Sequence, residues 1–184
     1  MGGGLQGDEL MTLYICRYAS PLGNITLAGA GRVLTGLWFE GQAHYGATLT
    51  GCEREGEQEC FDEARAWLDT YFTGGVPANL PELRPQGSAY CRQVWELLCE
   101  VERGDTVTYG ELARRYAART GRRTGARAIG MAVGRNPISI MIPCHRVVGA
   151  DGSLTGYAGG LERKRALLML ERGTDRMGSP GGMV

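Results

Sequence analysis

Three prolines within nine residues, Pro77, Pro81 and Pro85, with Gly87 just beyond, divide this 184-residue chain near its middle. Proline has no amide donor and a fixed φ, so neither a continuous helix nor a central strand runs through such a stretch. The chain is therefore expected to fold as two bodies, residues 11–76 and 88–173, joined by a linker over 77–87. Residues 1–10 and 174–184, rich in glycine, read as flexible tails. The length is sufficient for each body to bury a core.

The first body reads as an antiparallel meander. Leu13 to Tyr18 and Ile25 to Ala28 are strand-like runs around the turn Ser20–Asn24, and Gly29 to Gly31 leads into Val33 to Phe39. Gly41 to Gln58 is a loop, with His44 as a solvated member of it. From Glu59 to Phe72, Phe61, Ala64, Leu68 and Tyr71 recur at helical spacing, which places one helix across the sheet.

The second body reads as helical. Ser88 opens a helix with Val94, Leu97, Leu98 and Val101 on one face. Thr108 caps the next, where Glu111 stands at the capping-box position and Leu112, Ala113 and Tyr116 form the apolar stripe. After a polar turn, a short helix from Ala126 to Val133 puts Ala126, Gly130 and Gly134 on one face and Ile129 and Val133 on another. Glycine in a helix costs about 1 kcal/mol relative to alanine, so two of them on one face imply that something approaches the backbone closely. A packed helix and a nucleic acid both satisfy that condition.

A formal net charge of zero conceals a division of sign. Residues 1–86 carry eleven acids against five arginines, and residues 87–184 carry fifteen basic residues against nine acids. Seven arginines (Arg103, Arg114, Arg115, Arg119, Arg122, Arg123, Arg127) fall between 103 and 127 against Asp105 and Glu111. A solvated helical face normally mixes signs, so helix, turn and helix inside this run favour a polyanion partner. No segment reaches the ~20 apolar residues of a membrane span, and the amino terminus lacks the features of a secretory signal, so a cytoplasmic protein with no membrane partner is expected. The six cysteines show no CxxC spacing and there are two histidines, which leaves no metal-ligand pattern and no cofactor motif.

Chemistry concentrates at Ile142-Pro143-Cys144-His145-Arg146-Val147-Val148. A thiol beside an imidazole, inside an apolar run, has the parts of a tunable nucleophile. Taken alone, a buried structural cysteine is the competing reading.

That run, together with Asn136-Pro137, Gly156-Tyr157-Ala158-Gly159-Gly160 and Lys164 to Glu171, resembles the O6-alkylguanine-DNA alkyltransferases, proteins that repair alkylated guanine and are consumed by the reaction. Weaker resemblance extends through Ser20-Pro21-Leu22-Gly23 and Arg92-Gln93-Val94-Trp95. It implies an α/β (α+β) fold: a small ribonuclease-H-like antiparallel sheet with a helix, followed by a helical, winged helix-turn-helix-like domain that binds DNA and carries the chemistry. It also implies a monomer that acts on double-stranded DNA through the minor groove, on a flipped alkylated base, without a cofactor or metal.

Position by position, the resemblance makes Cys144 the alkyl acceptor, His145 the base acting through a water, Glu171 the carboxylate that orients His145, and Asn136 the brace of the turn. Apolar residues sharing a stripe with Glu171, Leu161 and Leu168 among them, turn its carboxylate toward the core, where it needs a partner. Tyr109 and Arg127 match the residues that extrude the nucleotide, with Gly110, Ala128 and Arg135 as further DNA contacts. A core aromatic is the other reading of Tyr109. Tyr109, Val133, Tyr157, Ala158 and the backbone of Cys144, Val147 and Val148 are expected to wall the base pocket, with amides near Ala158 donating toward O6.

Two departures stand out. The segment between Tyr109 and Arg127 is about one helical turn longer than in vertebrate relatives and holds Arg122 and Arg123. Ser139 and Ala158 replace residues that are bulkier or hydroxylated elsewhere. Two rivals remain at this point: a non-catalytic sensor of alkylated DNA, which would lack the cysteine, and a cysteine hydrolase, which would turn over. The amino-terminal body is expected to play a structural role.

Overall fold

The computed structural model describes residues 12–173, so the two tail expectations lie outside the described residues. Strands β1 (Tyr14–Ser20), β2 (Gly23–Ala30) and β3 (Val33–Phe39) form the antiparallel meander. Two short parallel edge strands complete it, β4 (Arg54–Glu55) beside β1 and β5 (Glu82–Leu83) beside β3, in the order β4-β1-β2-β3-β5. β4 lies inside the stretch read as loop, and β5 inside the proline-rich stretch. Two-residue edge strands carry almost no hydrophobic pattern, which is why periodicity does not reveal them.

Helix α1 (Glu59–Phe72) covers the sheet, burying Phe61, Ala64, Leu68 and Tyr71 at the expected spacing. Its partners in the sheet are Ile25, Leu27, Leu34, Leu37 and Phe39, all fully buried. Gly36 illustrates how tightly the sheet packs: a Cβ there would lie 1.9 Å from the Trp38 ring.

The second body contains α2 (Ala89–Cys99), α3 (Tyr109–Thr120), α4 (Ala126–Gly134) and α5 (Leu161–Glu171). Ser88 caps α2 by accepting from the Cys91 amide, and Thr108 caps α3 by accepting from the Glu111 amide. The Glu111 carboxylate, read as the reciprocal half of a capping box, is engaged by Arg115 one turn later. Gly121, in the left-handed region at φ 70°, ends α3 and turns the chain toward α4. The Trp95 indole donates to the Ala132 carbonyl at 2.9 Å, locking α2 to α4.

Short strands β6 (Val107–Thr108) and β7 (Val147–Val148) pair in parallel. The two bodies share one core, and β3 runs beside the turn that precedes Cys144: the Leu37 amide donates to Pro137 and the Ser139 amide to Leu37, both at 2.9 Å. The same β3 thus supports the sheet and the reactive loop.

Candidate active site

Cys144 and His145 begin a single 3-10 turn (Cys144–Arg146), so their side chains leave the backbone in different directions. Cys144 reaches a cavity of about 230 Å³ lined also by Ala43, His44, Tyr109, Gly130, Val133, Gly134, Gly156, Tyr157 and Ala158. A larger cleft of about 670 Å³ between α1 and the proline-rich stretch shares no lining residue with it and is lined by neither cysteine nor histidine. Chemistry therefore assigns the site to the smaller one.

Asn136 builds the turn beneath the sulfur. Its Nδ2 donates to the carbonyls of Ile138 (3.2 Å) and Ile142 (2.8 Å) and to Cys144 Sγ (3.2 Å), while Oδ1 accepts from the Ile138 amide (3.0 Å). Within this turn Ile140 is fully packed yet sits at φ 68°. A β-branched residue there costs on the order of 1–3 kcal/mol, which the surrounding bonds must offset. Asn136 thus bonds the sulfur directly as well as the backbone of the turn.

Behind the sulfur, His145 and Glu171 are both buried, and Nε2 lies 2.7 Å from Oε1. Burial pushes the Glu171 carboxyl up, but hydrogen bonds from His145 and Arg146 outweigh it and hold the group well below the usual carboxylate range. An ionised carboxylate can only accept, so Nε2 must carry the hydrogen, and the lone pair of the neutral ring sits on Nδ1. Nδ1 is buried without a protein partner among the described residues. Burial lowers the imidazole's pKa, partly against Glu171, and raises that of the Cys144 thiol, partly against the Asn136 bond and Lys164. At rest the pair is thus a neutral thiol and a neutral ring.

Sequence reasoning missed three members of this cluster. Arg146 grips Glu171 with both Nε–Oε2 (2.9 Å) and Nη2–Oε1 (2.8 Å). Tyr71 of α1 donates to Oε1 at 2.8 Å. Lys164, fully buried, donates to the carbonyls of Val147, Thr155 and Gly156, tying the loop of Tyr157 to the reactive turn. Burial lowers its pKa to about 8. A lysine flanked by Arg163 and Arg165 carries no local signal of burial, because such residues ordinarily face water.

The expected pocket requires correction at three points. Val147 and Val148 do not line the cavity: as β7 they pair with β6, and both side chains are buried in the core. His44, read as a solvated loop residue, is exposed but stands at the cavity's edge, held there by the Ala43 amide donating to Ala158 at 2.9 Å. The amino-terminal body, from which no chemistry was expected, supplies Ala43, His44 and Tyr71. On α5, Leu161 is 44% exposed, so the stripe that buries Glu171 consists of Lys164, Leu167 and Leu168.

Tyr109 is half-buried at the start of α3, its hydroxyl donating to the carbonyls of Thr155 and Gly156. Its ring meets Gly130 of α4 closely: a Cβ there would be 3.6 Å away. Arg127 is exposed one turn before Gly130, beside a shallow depression bounded by Tyr109, Met131 and Gly156. Gly110 lies in the first turn of α3, Ala128 half-buried on α4, and Arg135 exposed at its end. Of the seven arginines in the basic run, Arg115 and Arg119 pair with Glu111 and Glu100, and Arg103 binds backbone carbonyls. Arg114, Arg122, Arg123 and Arg127 have no ion-pair partner among the described residues, leaving an uncompensated positive face around α3 and α4.

Family models for the 6-O-methylguanine DNA methyltransferase match both bodies, its ribonuclease-like domain over residues 13–81 and its DNA-binding domain over 89–173. The chain belongs to the O6-methylguanine-DNA methyltransferase family. It is 40% identical over 165 residues to a methylated-DNA–protein-cysteine methyltransferase of Haemophilus influenzae, covering 89% of this chain and 88% of that protein. It is 44% identical over 153 residues to the one from Mycolicibacterium paratuberculosis, with 83% and 88% covered. A crystal structure of the Mycobacterium tuberculosis family member in complex with DNA aligns with a TM-score of 0.77 at 41% identity, covering 87% of this chain and 93% of that one.

Proposed function

We propose that this protein is a methylated-DNA–protein-cysteine methyltransferase that moves an alkyl group from O6 of guanine in DNA, and less readily from O4 of thymine, to Cys144, once per molecule. The observation that carries this reading is the cavity-facing thiol backed by the buried His145–Glu171 pair. In the reaction the Cys144 sulfur forms a bond to the alkyl carbon as the carbon–O6 bond breaks. The thiol proton passes to Nδ1 of His145 through a water, since the two side chains diverge, and the imidazolium is balanced by Glu171. Guanine leaves as an anion, stabilised by amides near Ala158, and is neutralised by a proton from solvent. The thioether has no route back to a thiol, which explains a single turnover.

The O6 atom is inside a paired stack, so the nucleotide must be turned out, at a cost of a few kcal/mol. In this reading α4 enters the minor groove with its small-residue face, Arg127 fills the vacated stack, Tyr109 crowds the phosphate, and Gly110, Ala128 and Arg135 contact the backbone. Val133, Tyr157 and Ala158 hold the base. Minor-groove readout is degenerate, which suits a protein that scans all sequences. It acts as a monomer in the cytoplasm.

Duplex DNA containing O6-methylguanine is expected to add one methyl mass to the peptide carrying Cys144. An unmodified peptide with the lesion intact would reject the proposal. Cys144→Ala is expected to bind DNA and repair nothing, and repeated turnover on an ester or peptide would favour a hydrolase.

A further inference from the structure

Tyr71 lies in the last turn of α1, 1% exposed and stacked on Trp67 with ring centroids 5.1 Å apart and planes inclined by 12°. The Arg103 guanidinium sits 5.1 Å from the Tyr71 ring centroid and is itself tied to the carbonyls of Gly74 and Gly75 just after α1. This clamp aims the phenol at Glu171 Oε1 (2.8 Å) and brings it to 3.5 Å from His145 Nε2. Oε1 thus takes three donors, Tyr71 Oη, His145 Nε2 and Arg146 Nη2, while Oε2 takes Arg146 Nε and the Gly104 amide.

We propose that Tyr71 is a positioning residue for alkyl transfer: its phenol, delivered from the amino-terminal body, holds the Glu171 carboxylate against His145 and restrains the basicity of the ring. This rests on the Cys144–His145–Glu171 reading above and extends it. The physical basis is competition for one oxygen. Each donor that draws on the negative charge of Oε1 leaves less of it to stabilise an imidazolium, so the phenol keeps His145 neutral and ready to accept the thiol proton. Burial and the Glu171 charge raise the phenol's own pKa far beyond the ordinary range, so it stays a donor throughout.

The charged and titratable groups facing this cluster come from every element around it. They are Arg146 and Cys144 on the 3-10 turn, Arg103 after α2, Lys164 and Arg163 on α5, and the Tyr157 phenol. All keep their places in Tyr71→Phe, which removes only the hydroxyl and retains the stacking on Trp67.

The test follows the second-order rate of methyl transfer from an O6-methylguanine duplex against pH, with the His145 ring titrated in parallel by NMR. Tyr71→Phe is expected still to transfer the methyl group to Cys144, more slowly at acid pH, and to bind DNA as the unaltered protein does. Its acid limb and its ring midpoint should both move to higher pH by about half a unit, slowing transfer roughly threefold on the acid side. A purely packing role would lower thermal stability and leave both midpoints in place, which would overturn the proposal. In the unaltered protein the Tyr71 ring is expected to remain protonated at pH values where exposed tyrosines ionise, and ionisation alongside them would overturn it without any variant. If neither protein accepts a methyl group, the alkyl-transfer reading itself fails, whereas unchanged midpoints with normal transfer reject Tyr71 alone.

Discussion

Nε2 of His145 lies 2.7 Å from Oε1 of Glu171, and because that carboxylate is ionised the bond determines which ring nitrogen is basic. Nδ1 is left without a protein partner among the described residues, and the 26 positions between His145 and Glu171 are closed by α5 packing on the 3-10 turn.

Glu171→Gln should therefore be a tautomer mutant as much as a charge mutant. A glutamine amide can donate to Nε2, which would move the ring hydrogen to Nδ1 and block proton acceptance. Methyl transfer is expected to slow by about 10²- to 10⁴-fold. Arg146 would lose its carboxylate, a broken buried pair costing about 3–5 kcal/mol, visible as a lower melting temperature. Near-normal single-turnover rates would refute the assignment.

The same carboxylate predicts how stability responds to acid. Its folded-state pKa is depressed below the unfolded ~4.3, so its contribution is fully present above that value. As pH falls below about 4.3 the unfolded chain gains a proton that the folded one resists, and stability drops steadily toward the depressed folded pKa. Denaturant titrations from pH 6 to 3 should show this loss, and Glu171→Gln should flatten it.

Asn136→Ala removes the donors to Ile138, Ile142 and Sγ together. The buried Ile138 amide, left without its Asn136 acceptor, costs about 1–3 kcal/mol, and Ile140 loses the restraint that keeps it at positive φ. The thiol, already raised by burial, should titrate higher still, seen as a slower alkylation by iodoacetamide that recovers at higher pH.

Lys164→Met keeps the bulk but removes the ammonium donor to the carbonyls of Val147, Thr155 and Gly156, leaving the last two with the Tyr109 hydroxyl. The loop that presents Tyr157 and Ala158 should loosen. Methyl transfer is expected to fall by about tenfold while DNA affinity changes by less than about twofold, because the buried ammonium makes no part of the positive face.

Arg127→Ala tests base extrusion. Repair of a duplex is expected to fall by about tenfold or more, and reaction with free O6-benzylguanine to change little, since a free base needs no unstacking. Equal losses on both substrates would argue against stack filling. Removing Arg122 and Arg123 should instead flatten the salt dependence of binding, by a slope of roughly 1 for each lost phosphate contact.

Local pattern was enough for the main elements. The period of Phe61, Ala64, Leu68 and Tyr71 determined α1, the strand runs determined the meander, and Ser88 and Thr108 marked two helix starts, because caps and amphipathic stripes are written in neighbouring residues. The motif around Cys144 pointed to a candidate nucleophile and base, and the family likeness added Glu171 and Asn136 as candidates. What only the tertiary structure decided are contacts between residues far apart in the chain. Tyr71 reaches Glu171 across 100 positions, Arg146 doubles the grip on that carboxylate, Lys164 ties three carbonyls from inside the core, and Ala43 and His44 bring a wall of the cavity from the other body. The backbone of Val147 and Val148 pairs with β6 rather than lining the cavity for the same reason: strand pairing between distant segments is decided by how they pack and not by the residues beside them in sequence.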